Sequence, residues 1–249
     1  MKRVKLYRIL LSVLSVAALV PVAGLSAQDR RGTVEVDSRE DLLSALPSDV
    51  VYMLPAFTDA TVVFASGDSS KGRLNICLVD NSVRFINAAG DTLKLSNAEN
   101  VHSIMAGDTL LLQRNGAFIK RVGVYGDLSL CERRELTLSE PEDNAGYAGL
   151  PPTSTGKQVR VQSVDYSRTY GRVVEIPWRL RTVYVLDDGQ KMTAARKSAY
   201  LRYFGDVSAA VKAYIKENKT DFTDREDLVA LFQYCAERDM EFHGEQAKR

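Results

Sequence analysis

The sequence predicts an α+β protein: an antiparallel β-rich domain, built as a meander, sandwich or partial barrel, then a small β element and a C-terminal helical hairpin. Three observations carry this. Apolar residues alternate with polar ones in short runs from Val50 to Leu138, the period-two pattern of strands with one solvated face. A Pro- and Gly-rich, acidic stretch interrupts the pattern at Ser139–Lys157. The last fifty residues switch to helical spacing, with Val207, Ala210, Val211, Tyr214 and Ile215 on one stripe.

Residues 1–27 read as a secretory signal. Lys2, Arg3, Lys5 and Arg8 precede an apolar run from Ile9 to Leu25 and small residues before Gln28, the three parts of an export leader. Cleavage would leave a chain starting at Gln28, with no cysteine at the cut to carry a lipid. No later apolar run approaches the ~20 residues of a spanning helix, so no transmembrane helix is expected after cleavage. The expected location is the periplasm or the periphery of an outer membrane.

Residues 28–138 form the expected β domain, with roughly seven to nine strands between Val50 and Leu138. Leu74, Ile76 and Leu78 alternate with Arg73, Asn75 and Cys77, which places Cys77 outward; Cys131, between Leu130 and Glu132, reads the same way. Leu93 and Leu95 flank Lys94, and the pairs Leu128/Leu130 and Leu136/Leu138 repeat the pattern. Asp80-Asn81, Ala89-Gly90-Asp91 and Asn115-Gly116 supply turns. Gly90-Asp91-Thr92-Leu93 recurs as Gly107-Asp108-Thr109-Leu110, each copy a turn leading into a strand. A helical turn is expected within Ser38–Leu46, ahead of Pro47.

Residues 139–157 are the expected linker, 158–204 a basic β element leading into a helix over Ala194–Phe204, 205–240 the helical hairpin and 241–249 a disordered tail. Asp206 is the expected N-cap of the first hairpin helix. Thr223-Asp224-Arg225-Glu226 has capping-box spacing for the second, whose apolar face is Leu228, Leu231, Phe232 and Cys235.

Two stretches resemble uncharacterised exported proteins of Bacteroidota. One is Tyr52-Met53-Leu54-Pro55-Ala56-Phe57 with Leu74-Asn75, Arg84-Phe85-Ile86 and Gly90-Asp91-Thr92-Leu93. The other is Tyr200-Leu201-Arg202-Tyr203-Phe204 through Tyr214-Ile215-Lys216-Glu217-Asn218, Asp221-Phe222 and Asp227-Leu228-Val229-Ala230-Leu231. Ala56 and Ala60 depart from the acidic residue and the glycine usual there. The resemblance implies a Gram-negative envelope setting, an N-terminal β region and a C-terminal helical segment, and it implies no activity.

Composition narrows the function classes. Of 33 basic residues the leader takes four, leaving 29 against 32 acidic ones, so the exported chain is mildly acidic and no nucleic-acid partner is expected. Three cysteines, an odd and sparse set, argue against a disulfide framework, and no bridge is expected. No Cys-x-x-Cys, His-Glu-x-x-His, EF-hand or Gly-x-Ser-x-Gly pattern occurs, so neither metal nor cofactor is expected. His102 beside Cys77 or Cys131 is the nearest thing to a nucleophile pair, and Glu175 with Asp165 the nearest to a carboxylate pair; both read more simply as strand residues. Thr92 and Thr109, each in an Asp-Thr-Leu tripeptide, are candidate O-glycosylation positions.

Charge is unevenly placed. Lys157–Tyr203 holds ten basic and four acidic residues, with Arg168, Arg172, Arg179 and Arg181 interleaved among Tyr166, Tyr170, Trp178 and Tyr184. Arginine forks and aromatic contact area suit an anionic surface. The candidate binding residues are therefore Arg168, Tyr170, Arg172, Trp178, Arg179, Arg181 and Tyr184, facing an envelope protein, a glycan or an anionic lipid surface. Trp178, Leu180, Thr182 and Tyr184 fall on one face of that strand, Arg179 and Arg181 on the other. The expected role is that of a non-catalytic binding or structural module, with a polymer-cleaving hydrolase and an outer-membrane-associated β protein as alternatives.

Overall fold

A computed structural model describes residues 29–37, 42–139 and 173–246. The leader, most of the linker and the first part of the basic β element lie outside them, as do Arg168, Tyr170 and Arg172. The described chain is α+β, as the alternation and the helical stripe predict. One antiparallel sheet of eleven strands carries helices at its C-terminal end.

Strand β1 is Arg30–Asp37. Two single-turn helices follow, α1 (Leu42–Ala45) and α2 (Ser48–Val51). Eight strands then span the expected β domain: β2 (Thr58–Phe64), β3 (Ser69–Cys77), β4 (Ser82–Ile86), β5 (Thr92–Lys94), β6 (Val101–Ala106), β7 (Thr109–Arg114), β8 (Ala117–Tyr125) and β9 (Leu128–Leu138). The last is β10 (Val173–Asp187) with β11 (Met192–Ala194), ahead of α3 (Lys197–Tyr203), α4 (Ser208–Glu217) and α5 (Arg225–Gln246). Leu128/Leu130 and Leu136/Leu138 thus belong to one long strand. Sheet order is β1-β10-β9-β8-β7-β6-β2-β3-β4-β5, with β11 also on β10.

The sheet is curled, and chain length requires it. Strands lie about 4.8 Å apart, so the seven spacings from β1 to β3 would cover roughly 34 Å in a flat sheet. The segment 42–51, mostly helical, spans only about 20 Å at helical rise plus two extended residues. Yet it touches both ends: Arg30 of β1 pairs with Asp49 at 2.7 Å, while Met53 N–H donates to Ile76 O at 2.9 Å and Leu78 N–H to Val51 O at 2.7 Å on the β3 side. Leu46, Val50, Val51, Met53 and Leu54 therefore plug a partial barrel, packed among residues from β1, β10, β9 and β6 to β2 to β4. Arg134 of β9 fastens the plug, donating to the carbonyls of Asp49 (2.6 Å), Tyr52 (2.9 Å) and Met53 (3.1 Å).

This plug corrects the reading of β3. Leu74, Asn75, Ile76, Cys77 and Leu78 are all buried, because the plug covers the face that alternation assigned to solvent. Cys131 is likewise fully buried, with Leu112, Ile119 and Val185 on the sheet face opposite the barrel core. All three cysteines are free and buried.

A second core lies on the same face of β9 and β10, further along. Leu128, Leu130, Tyr184 and Leu186 meet Tyr200 and Phe204, then Val207, Val211 and Ile215, then Leu228, Leu231, Phe232 and Cys235. The predicted helical stripes are thus the buried faces of the α3–α5 cluster. Gly123 admits it: a Cβ there would stand 3.0 Å from the Phe232 ring. Two local expectations shift. Asp206 sits in a 3-10 turn, Gly205–Val207, and makes no cap bond to α4. The cap of α5 is Asp224, whose Oδ1 accepts from Asp227 N–H at 3.0 Å, while the Thr223 hydroxyl donates to Asp221. Residues 241–246, expected to be tail, continue α5.

Candidate functional site

Strand β10 bridges both cores. Ile176, Trp178 and Leu180 point into the barrel core, and Tyr184 and Leu186 into the helical one. Between them the face turns polar, with Thr182 opposite Arg134 and Tyr184 opposite Glu132 on β9. The other edge of β10 is interrupted at the same place. Strand β1 pairs with it from Val173 to Leu180, and β11 from Val185 to Asp187. The β1 register carried one residue further sets Asp29 opposite Arg181, and Ala195 follows β11 opposite Tyr184, so Thr182 and Val183 alone are left without a partner on that side among the described residues.

This slot is a cavity of about 300 Å³. Asp29 and Arg179 close the β1 end, Ala194–Arg196 the β11 end, and Phe222 and Thr223 of the α4–α5 connection form a wall. Ala195 N–H donates to Tyr184 O at 2.9 Å, so the even-numbered residues of β10 turn their backbone groups toward the slot. Thr182 N–H and C=O then face it without a partner among the described residues.

The slot is cationic. Arg179 is neutralised by Asp29, with its Nε donating to Oδ1 at 2.7 Å and its Nη2 to Oδ2. The Arg179 fork, outweighing the opposing effect of desolvation and aided by Arg31, holds that carboxyl well below the usual range. Arg181 and Arg196, both exposed, have no anionic partner among the described residues, leaving two uncompensated guanidinium groups on one cavity. Tyr184 is only 7% exposed, yet its hydroxyl makes no hydrogen bond among the described residues. A buried hydroxyl without a partner is uncommon in a folded protein. Burial, then the Glu132 charge, pushes the Tyr184 phenol well up, so it stays a neutral donor.

The predicted basic strand is thus sorted by the fold. Arg179, Arg181 and Tyr184 come together in the slot. Trp178 does not: it is 9% exposed, points into the barrel core and covers Gly32, where a Cβ would meet the indole at 2.6 Å. Trp178 packs against β1 and lines no part of the slot. Arg196, Phe222 and Thr223 were not expected here, because only the β10–β11 hairpin and the α4–α5 connection bring them to the same edge.

Other candidates separate. His102 is exposed on β6, whereas Cys77 and Cys131 are buried, so the thiol-imidazole pair is not presented to a substrate. Glu175 stands opposite Glu35 on the β1–β10 ladder, outside the slot, and Asp165 lies outside the described residues. Thr92 is exposed on the edge strand β5, and Thr109 half-buried between β6 and β8. One group of metal-type ligands converges among the described residues: Asp206, Asp239 and His243, with ligand atoms within 4.8 Å of one another. Tyr125 donates to Asp239 at 2.9 Å, and the imidazole stands 3.5 Å from Asp206, so the group ties α5 to the turn before α4. No helix among the described residues is long and apolar enough to cross a membrane.

Comparison with known protein families, curated proteins and solved structures gives no match. The class is accordingly the one that fold and site define: an α+β protein with a curled antiparallel sheet and a cationic slot in one sheet edge.

Proposed function

We propose that this chain is an exported, non-catalytic binding protein of a bacterial cell envelope of the Bacteroidota type, and that the β10 slot holds an anionic ligand. The signal-like leader supports export, and the resemblance of the two quoted stretches supports the setting. One observation carries the site: Arg181, Arg196 and Tyr184 line the same cavity. Guanidinium forks match carboxylate and phosphate oxygens, and a neutral phenol donor adds a directional contact.

Calorimetric titration with polyglutamate, an acidic polysaccharide and vesicles rich in anionic phospholipid tests this. At least one anionic probe should bind, and the double variant Arg181→Glu/Arg196→Glu should weaken it at least tenfold. Equal binding by the parent and the double variant, or none to any probe, contradicts the reading.

A further inference from the structure

We propose that Asp206, Asp239 and His243 form a binding site for a divalent transition-metal ion of the zinc class, which clasps α5 to the turn before α4. The site shares no residue with the slot and stands independently of the anion-binding reading.

The donors come from two elements. Asp239 and His243 are four residues apart on α5, so their side chains meet on one helix face. Asp206 belongs to the 3-10 turn Gly205–Val207. Packing fixes that turn, because Phe204 and Val207 on either side of Asp206 are buried in the helical core with Phe232 and Cys235 of α5. The core thus determines where the three donors meet. Sequence patterns show only the Asp-x-x-x-His pair, since the third donor lies far back along the chain.

The spacing suits an ion better than a pair of direct contacts. His243 Nε2 stands 3.5 Å from Asp206 Oδ2 and 3.7 Å from Asp239 Oδ2, and the three ligand atoms lie within 4.8 Å of one another. Both approaches exceed the roughly 2.7–3.2 Å of a formed N–H···O bond. Donors with edges of that length surround a point roughly 2.0–2.4 Å from each, and zinc keeps ~2.0–2.2 Å to imidazole nitrogen and carboxylate oxygen.

Charge and donor type agree with this. Among the described residues neither Asp206 nor Asp239 pairs with a lysine or arginine, so a single imidazole faces two carboxylates. A divalent cation balances both. Tyr125 of β8 donates to Asp239 Oδ2 at 2.9 Å and orients the least exposed of the three donors, as outer contacts do around metal ligands. An imidazole beside two carboxylates favours zinc and its first-row neighbours over calcium or magnesium, which take oxygen donors.

Calorimetric titration of chelator-stripped protein with zinc chloride tests this. The parent should bind one tight equivalent, and His243→Gln and Asp206→Asn, both at exposed side chains, should each weaken it at least tenfold. Cobalt in place of zinc should give visible ligand-field absorption in the parent protein and none in either variant, a signature that a tether without metal does not produce. Zinc binding undiminished in both variants, or no binding by the parent, overturns the site and leaves the three side chains as a tether alone. Should a variant lose the far-ultraviolet circular dichroism of the parent, the His243 Nε2 resonance of the parent protein decides: it should move on addition of one equivalent of zinc, and an unmoved resonance overturns the proposal.

Discussion

The Asn75 carboxamide holds the backbone of Leu54 by both of its polar groups: Oδ1 accepts from Leu54 N–H, and Nδ2 donates to Leu54 C=O, each at 2.9 Å. Asn75 is almost fully buried, and its oxygen also accepts from Ile76 N–H at 2.8 Å. A side chain here does the work of a neighbouring strand, closing the plug against β3. Replacing Asn75 by leucine keeps the size but leaves the Leu54 pair unsatisfied in the core. Chemical denaturation of Asn75→Leu should show a loss of about 2–6 kcal/mol, from two buried polar groups at roughly 1–3 kcal/mol each. An unchanged midpoint would remove the residue from the account of the plug.

Gly32 and Trp178 make a second close contact, and the protein's one tryptophan reports on it. Gly32→Ala should displace the indole, shift its emission to longer wavelength and cost about 1–3 kcal/mol, the usual range for overpacking. Emission identical to the parent protein would show that the ring does not lie over β1.

Asp80 governs acid sensitivity at the β3–β4 turn. Burial alone would raise its pKa, but hydrogen bonds from Ser82 and Lys94 and the Arg84 charge outweigh it and bring the carboxyl to about 2. The Arg84 and Lys94 contacts measure 2.9 and 3.0 Å. Because the folded pKa lies below the unfolded value near 4, the stabilisation is complete above pH 4 and disappears as pH falls toward 2. Asp80→Asn should therefore be less stable than the parent by about 2 kcal/mol at pH 7, converging with it near pH 2. A gap that stays constant from pH 7 to pH 2 would contradict this.

The cysteines should be silent toward thiol reagents in the folded protein. Burial, joined by the Asp80 charge, pushes Cys77 up to about 11, and burial with nearby carboxylates pushes Cys131 and Cys235 up to about 12. Thiolate is the reactive form. A chromogenic disulfide reagent should count no thiols under native conditions at pH 8 and three in denaturant. Rapid native labelling of any one would place it at the surface.

The helical hairpin offers a one-residue test. Removing the α5 cap with Asp224→Ala should cost about 1 kcal/mol, the typical value of an N-cap, whereas Thr223→Ala should cost less because its hydroxyl bonds Asp221 outside the helix. Comparable losses from both would restore Thr223 as the cap.

What the sequence reveals follows from how local the signals are. Alternation locates β2–β9, and the stripe from Val207 to Ile215 locates the buried side of α4, because periodicity is written within one element. Strand β1 carries no such signal, since Arg30–Asp37 has only Val34 and Val36 as apolar residues and is recognised by its pairing with β10. The burial of Cys77 and Asn75 is not local either: the plug that buries their face arrives from residues 42–54. Of the slot, Arg179, Arg181 and Tyr184 were legible as a basic, aromatic strand. The gap in the edge, and the arrival of Arg196, Phe222 and Thr223 beside it, depend on where β1 stops and β11 begins.

The cationic slot is tested most directly by the arginine Nε–Hε resonances during titration with polyglutamate at low ionic strength. Arg181 and Arg196 should shift together and saturably, while Arg179, already engaged by Asp29, should stay in place. Shifts spread evenly over the surface arginines, or a response from Arg179 with none from Arg181 and Arg196, would contradict the account.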